Sequence, residues 1–254
     1  LRLRAGNSAT LTQLTGLPVV ASVPALRGAS SRPVRSLARA DASPGESFRF
    51  LAFSLVNEGD VPKTFAFTGI RQGAQSTSGA VQFALALSRT GLRTIVVDGD
   101  LTTKAVTRGF EATAMEGISD VLAGEFEPGE SLLTATEHEG LRLLSAGKST
   151  RVTSMADASH HRFTELATWL RGQADVIVWA VPPCDVLADA SVVAEAVDEV
   201  CLVVSAKNTN LRQVPTAHDL LIRAGAKKVS LVLSDASPED EPFSTRQAYL
   251  AKAD

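Results

Sequence analysis

Apolar residues along this chain fall into short continuous runs, separated by segments of helical period. TFAFT (64–68), TIVVD (94–98), DVIVW (175–179), VCLVV (200–204) and VSLVL (229–233) are short, rich in β-branched residues and nearly uninterrupted. Such runs suit strands buried on both faces. LRLLSAG (141–147) reads as one more strand followed by a turn. Between the runs the period changes to that of helices. Val81, Ala84, Leu85 and Ser88 recur at helical spacing from Ser78 onward, and Gly91 supplies a left-handed stop. Phe48, Leu51 and Leu55 share one face of a helix that starts at Ser43-Pro44-Gly45-Glu46 and runs to about Val56. Serine followed three residues later by glutamate is a capping box, and proline fits the first helical position. GISDVLAGE predicts a short helix with Ser119 as its N-cap, and residues 163–171 an amphipathic one. Strands alternating with helices predict an α/β fold: a doubly wound, mostly parallel sheet with helices on both faces. No internal repeat is visible.

Composition changes this picture little. With 254 residues, 44% apolar and 21% charged, the chain fits a soluble globular class, and no apolar run reaches the ~20 residues of a membrane span. The chain begins at Leu1 without a secretory pattern, so it is expected to be a trimmed or C-terminal piece of something longer. Cys184 and Cys201 have no zinc or redox spacing and read as two buried thiols of a cytosolic protein.

Charge divides the chain. Residues 1–42 carry six arginines against Asp41, a net of +5, which leaves −8 on the remainder. This stretch is Ser-, Ala-, Arg- and Pro-rich, with LPVVASVP as its one ordered-looking piece. It reads as a basic, largely flexible arm (1–42) ahead of an acidic domain (43–254). A basic arm suits an anionic membrane surface, or is simply a solvated linker. The acidic body argues against nucleic acid as a partner.

The stretch 64–100 reads as strand, glycine-bearing loop, helix and strand, the arrangement in which α/β proteins hold phosphate. A working phosphate loop reads GxxxxGK[ST]: backbone N–H groups cradle the phosphates, the lysine neutralises them and the hydroxyl holds Mg²⁺. In register, Gly69 and Gly73 remain, Gln75 stands for the second glycine, Ser76 for the lysine, and Thr77 keeps the hydroxyl. Arg71 is the nearest cation. One lost close ion pair is worth ~4 kcal/mol at an intermediate dielectric, roughly three orders of magnitude in affinity.

Several stretches in order carry a resemblance. LTGLPVVASVPAL, ESFRFLAFSL, TIVVDGDLT, EGISDVLAGE, EGLRLLSAG and DVIVWAVPP together resemble the cytoplasmic ATPase domain of bacterial tyrosine kinases. Those kinases accompany capsule and exopolysaccharide co-polymerases and are related to the Min and Par partition ATPases. LTGLPVVASVPAL is similar to the family's juxtamembrane segment. The resemblance implies a P-loop NTPase-like fold, Mg²⁺ and catalytic roles for Asp98 and Asp100, and a subunit-contact motif at Glu46 and Arg49. It also implies an integral-membrane polysaccharide co-polymerase as partner, a cytoplasmic place peripheral to the inner membrane, and a homo-oligomer.

The departures from the family are concentrated where ATP would be handled. The loop lysine is Ser76, the aspartate after the fourth strand is Ala180 beside Val181, and the adenine-reading asparagine is Ser234. The third charged position of the contact motif is Ala52, and Tyr249 is the only tyrosine, where the family has a tyrosine-rich tail. Phosphoryl transfer is mostly positioning and charge neutralisation, so these losses predict a pseudokinase without a cofactor. Asp98 and Asp100 then reduce to acids capping a helix or holding a loop, Thr77 to a helix N-terminal hydroxyl, and Glu46 to its capping box. His160-His161 reads as a solvated loop, and Ser205-Ala206-Lys207 as a solvated turn, with contact to an anion as the alternative. Two functions stand: a non-catalytic adaptor in polysaccharide synthesis and export, and a Mg-ATP-dependent kinase or ATPase whose divergent loop is rescued by Arg71, Asp98 and Asp100. A partition-type ATPase is a third.

Overall fold

The computed structural model describes residues 7–24, 33–39, 41, 45–56, 63–72, 75–113, 115–185 and 188–236. Among them the helices are α1 (Ser8–Thr15), α2 (Pro33–Leu37), α3 (Glu46–Leu55), α4 (Ser76–Ser88), α5 (Ala105–Gly109), α6 (Ile118–Leu122), α7 (His160–Arg171), α8 (Asp189–Ala196) and α9 (Gln213–Arg223). The strands are β1 (Val19–Pro24), β2 (Lys63–Gly69), β3 (Thr94–Asp98), β4 (Leu133–Ala135), β5 (Leu141–Leu144), β6 (Val176–Ala180), β7 (Glu199–Ser205) and β8 (Val229–Ala236). They form one eight-stranded sheet in the order β1-β8-β7-β2-β6-β3-β5-β4. Every pairing is parallel except β4 with β5. The doubly wound α/β architecture is as the apolar runs require.

The runs are continuous because successive residues serve opposite layers. In β2, Ala66 joins the core beneath α6–α9, while Phe65 and Phe67 join the core beneath α3 and α4. β3 divides likewise between Ile95 and Val97 on one side and Val96 on the other. Phe83 of α4 meets both β2 phenylalanines at ring-centroid distances of 5.1 Å. α4 is buried almost all round, because α3 and α2 pack over the side turned away from the sheet.

Several local expectations are corrected. β1 pairs in parallel with β8 as an edge strand of the sheet, and Leu11 of α1 is fully buried. The described part of residues 1–42 is therefore built into the domain and is not a flexible arm, because β8 offers an edge that the VVASVP backbone can satisfy. α3 begins at Glu46 with Gly45 as N-cap, two residues later than the capping box predicts; Ser43 and Pro44 lie outside the described residues. Gly117, not Ser119, caps α6, where Asp120 reaches back to accept from Gly117 N at 2.8 Å. A Cβ on Gly117 would sit 2.1 Å from Ser145 O, so no side-chain cap fits there. His160 and His161 are exposed residues in the first turn of α7, which Ser159 caps. Gly91 has the predicted left-handed backbone, at φ 90°.

The end of the sheet where the strands begin is held by charge. Asp198 accepts from Thr64 N and Oγ1, each at 2.9 Å, and from both terminal nitrogens of Arg171 at 3.1 and 3.0 Å. These bonds outweigh the effect of burial, which acts to raise its pKa, and hold the carboxyl down at about 2. Beside it, buried Glu199 accepts from Ser230 Oγ at 2.6 Å and Lys228 Nζ at 3.1 Å.

Candidate functional site

Parallel strands bring their C-terminal ends to one edge, and a ligand crevice opens where the winding reverses, here beside β2. The chain leaves β2 at Gly69, enters α4 at Ser76, and passes Arg71 on the way. Gly73 lies outside the described residues. Ser76 is buried at the first helical position and Thr77 is half-buried at the second. Gln75, at the N-cap, has φ 61°, a left-handed backbone that costs a non-glycine residue about 1–2 kcal/mol. Its carbonyl accepts from Gly79 N at 2.8 Å, and its side-chain Nε2 donates to Asp235 Oδ1 at 2.8 Å.

The loop after β6 runs along the loop after β2. Thr68 Oγ1 donates to Pro182 O at 2.7 Å, Cys184 N to Gly69 O at 2.9 Å, and Asp185 N to Ile70 O at 3.3 Å. Arg71 pairs with Asp185 at 3.5 Å, with most of its side chain in solvent. Burial, with Asp185 adjacent, raises the half-buried Cys184 thiol to about 11; Cys201 is fully buried, and neither cysteine is in a disulfide.

Asp98 ends β3, fully buried and opposite Ala180 of β6. Burial pushes its pKa up to about 6, against hydrogen bonds from Thr107 that act to lower it. Asp98 Oδ2 accepts from Thr107 N at 2.7 Å, and Thr107 Oγ1 accepts from Ala146 N at 2.8 Å. Asp100 accepts from Thr103 N at 2.8 Å and Thr103 Oγ1 at 2.5 Å. Both acids thus brace the turn between β3 and α5. Where β6 ends, Ala180 and Val181 present hydrocarbon, each 1% exposed. Asp189 stands nearby, fully buried: Oδ1 accepts from Ser154 Oγ at 2.6 Å and Ala156 N at 3.2 Å, while Oδ2 has no partner. Burial raises its pKa. Among the described residues no cluster of three or more His, Cys, Asp or Glu is arranged to hold a metal ion.

On the other side of β2, Asp235 is 6% exposed and also left-handed, at φ 57°. Its Oδ2 accepts from Ser205 Oγ at 2.5 Å, and Ser205 Oγ in turn accepts from Asn208 N at 3.1 Å. Ala206 N donates to Ser234 O at 2.8 Å. A separate hollow of about 630 Å³ between α2 and β4, lined in part by Arg35, Arg39 and Thr134, shares no residue with this edge.

No protein-family model matches the chain. Tyrosine-protein kinase CpsD of Streptococcus agalactiae serotype Ia is 24% identical over 194 residues, 76% of this chain and 82% of that protein. The kinase domain of Escherichia coli tyrosine kinase ETK matches the fold with a TM-score of 0.77 at 20% identity, over 89% of this chain and 93% of that one. The chain is similar in sequence and fold to the bacterial tyrosine kinases. The septum site-determining protein MinD of Pyrococcus horikoshii OT3, solved with Mg-ADP, shares the P-loop fold at TM-score 0.59 and 21% identity, over 73% of this chain and 76% of that one.

The positions singled out from sequence fall at two places. Arg71, Ser76, Thr77, Asp98 and Asp100 come to the C-terminal edge of the sheet, together with Ala180 and Ser234. Glu46 and Arg49 lie elsewhere, on α3, where they form an ion pair with each other. Ala52, one turn on, is 3% exposed and faces the core beneath α3, so a charge there would be buried. Sequence reasoning placed Gln75 in the loop but missed its bond to Asp235, and it missed Asp235 and Asp189. The signal for the first was available: glutamine in place of a loop glycine forces a side chain onto a left-handed residue, and that side chain needs a partner.

Proposed function

We propose that this chain is a non-catalytic member of the capsule and exopolysaccharide kinase family. It acts by contact on an integral-membrane co-polymerase partner at the cytoplasmic face of the membrane, and so regulates chain length or assembly. The observation that carries the reading is that, among the described residues, no fixed cation stands at the start of α4, where Ser76 is buried and Arg71 is paired with Asp185. Phosphoryl transfer needs that charge neutralised and a metal positioned. Ala180 and Val181 supply hydrocarbon where a metal-positioning acid would be required. The MinD structure of the same fold holds Mg-ADP, but that belongs to MinD. No helix among the described residues is long and apolar enough to cross a membrane, so attachment would run through the partner or through the arginines of residues 1–42.

The second reading is an active tyrosine kinase with a divergent loop, and Asp98 and Asp100 at the end of β3 favour it. A thermal shift with and without millimolar Mg-ATP decides between them. Ligand at 100 times its Kd stabilises by ~2.7 kcal/mol, roughly 5–10 °C for a domain of this size. The adaptor reading expects no shift. A shift of that size would overturn it in favour of the kinase.

A further inference from the structure

A hollow of mixed chemistry lies between α2, the end of α5 and β4. Its volume of about 630 Å³ falls within the roughly 300–1,000 Å³ of small-molecule sites. β4 is the edge strand of the sheet, and its Thr134 stands opposite Leu143 of β5, so the two side chains share the face turned to α2. Two groups here are without partners among the described residues. Thr134 Oγ1 is buried and makes no hydrogen bond, whereas Thr136 Oγ1 donates to Leu141 O at 2.8 Å and accepts from His138 N at 3.1 Å. A turn about χ1 would bring the unbonded Thr134 hydroxyl to a ligand without breaking a bond. Arg39 lies exposed along the hollow and forms no ion pair among the described residues. Arg35 pairs with Glu111 at 2.7 Å, and Glu111 is left-handed at φ 58°, a conformation that persists only where its surroundings enforce it. Glu137 adds a second carboxylate, and Phe110, packed against the core, adds hydrocarbon.

We propose that this hollow binds a phosphorylated monosaccharide. Guanidinium groups take phosphate through charge-assisted hydrogen bonds, and of the two arginines here Arg39 is the one whose charge is not already matched. The two carboxylates repel a bare polyanion but accept from hydroxyl groups, so the ligand that fits carries both a phosphate and a hydroxylated ring. Its phosphate lies on Arg39, its hydroxyls on Thr134, Glu111 and Glu137, and its ring against Phe110. Bound there, it ties α2 to the edge strand. The site goes beyond the adaptor reading and stands whether or not the C-terminal edge of the sheet takes a nucleotide.

The test uses the whole chain, with glucosyl phosphate and galactosyl phosphate as probes and with glucose and inorganic phosphate as the two halves of the ligand. Calorimetric titration should find millimolar or tighter binding of a sugar phosphate, about tenfold or more tighter than of either half. Arg39→Ala and Thr134→Val should each weaken that binding about tenfold or more. Arg39 is exposed, so its variant leaves the fold intact, and Thr134→Val nearly keeps the shape of the side chain. Hydrogen exchange locates the site. Ala38 N bonds to Val34 O at 2.9 Å, and its exchange should slow about threefold or more at saturating ligand, with Val96 in β3 unchanged. Inorganic phosphate binding as tightly as the sugar phosphates would overturn the sugar as the ligand. No binding of any probe, or binding that both variants leave unchanged, would overturn the site itself. A Mg-ATP thermal shift would bear on the adaptor reading alone, so the two failures are distinguishable.

Discussion

Asp98 provides the sharpest test of what the end of β3 does. A carboxylate with no exposed surface has its pKa raised from 3.8 to about 6 by burial, and the bonds from Thr107 recover only part of that cost. The folded value is the higher one, so between pH 3.8 and about 6 the folded chain holds a proton that the unfolded chain has released. Stability therefore falls as pH rises through that window, and levels off above it. At 1.36 kcal/mol per unit, the loss attributable to Asp98 is about 3 kcal/mol by pH 7.

Asp98→Asn removes the titration while keeping an acceptor for Thr107 N. Urea denaturation of both proteins, in EDTA and at half-unit steps from pH 4 to pH 7.5, isolates the residue, because every other group titrates alike in both. The unfolding free energy of the variant minus that of the parent should climb by about 2.4 kcal/mol across the series, with equal m-values. Loss of the weak contact from Asp100 N adds an offset independent of pH. A difference that stays flat within ~0.5 kcal/mol would refute the claim that the buried carboxylate is a cost borne by the fold. Repeating the series with millimolar Mg²⁺ adds a functional arm: if Asp98 only braces the β3–α5 turn, the metal leaves the slope unchanged.

At the opposite end of the sheet the sign reverses. Asp198, held down at about 2, contributes stability that is present above pH 3.8 and is lost as pH falls toward 2; Asp198→Asn should cost about 2 kcal/mol at pH 7 by urea denaturation, and progressively less in acid. The thiols should be inert: with Cys184 raised to about 11 and Cys201 buried, a disulfide reagent at pH 8 should label the folded chain at least a hundred times more slowly than it labels the chain in denaturant, read by absorbance.

The parts of the fold that were legible are those whose signal is local. The β2–loop–α4–β3 unit and strands β6, β7 and β8 follow from continuous apolar runs broken by helical periods. β1 was less legible because VVASVP alternates weakly and earns its place only by pairing with β8, which lies at the other end of the chain. β4 is three residues long and depends on β5 for its existence. At the site, sequence register located Ser76, Ala180 and the two acids of β3, since each is defined by its distance from a strand end. It could not show that Arg71 pairs with Asp185, or that Gln75 reaches Asp235 across 160 positions. Those contacts are set by which strand ends the sheet order makes neighbours.

The side chains at the C-terminal edge of the sheet fit one another, and that supports the proposed non-catalytic reading more than any one of them. On the proposed reading, a loop that had only lost its lysine would leave polar groups without partners around it. Here the side chain of Gln75 is satisfied by Asp235, Asp98 and Asp100 are bonded into the β3–α5 turn, and Thr68 and Cys184 close the β2 and β6 loops onto each other. Of the buried polar side-chain atoms without partners among the described residues, Asp189 Oδ2 and Ser119 Oγ lie at this edge. On the proposed reading these bonds hold the strand ends together without a nucleotide, whereas a nucleotide-driven switch needs them to change with one bound. Such an edge suits the proposed adaptor, which would work by binding and leave any cycling to another protein.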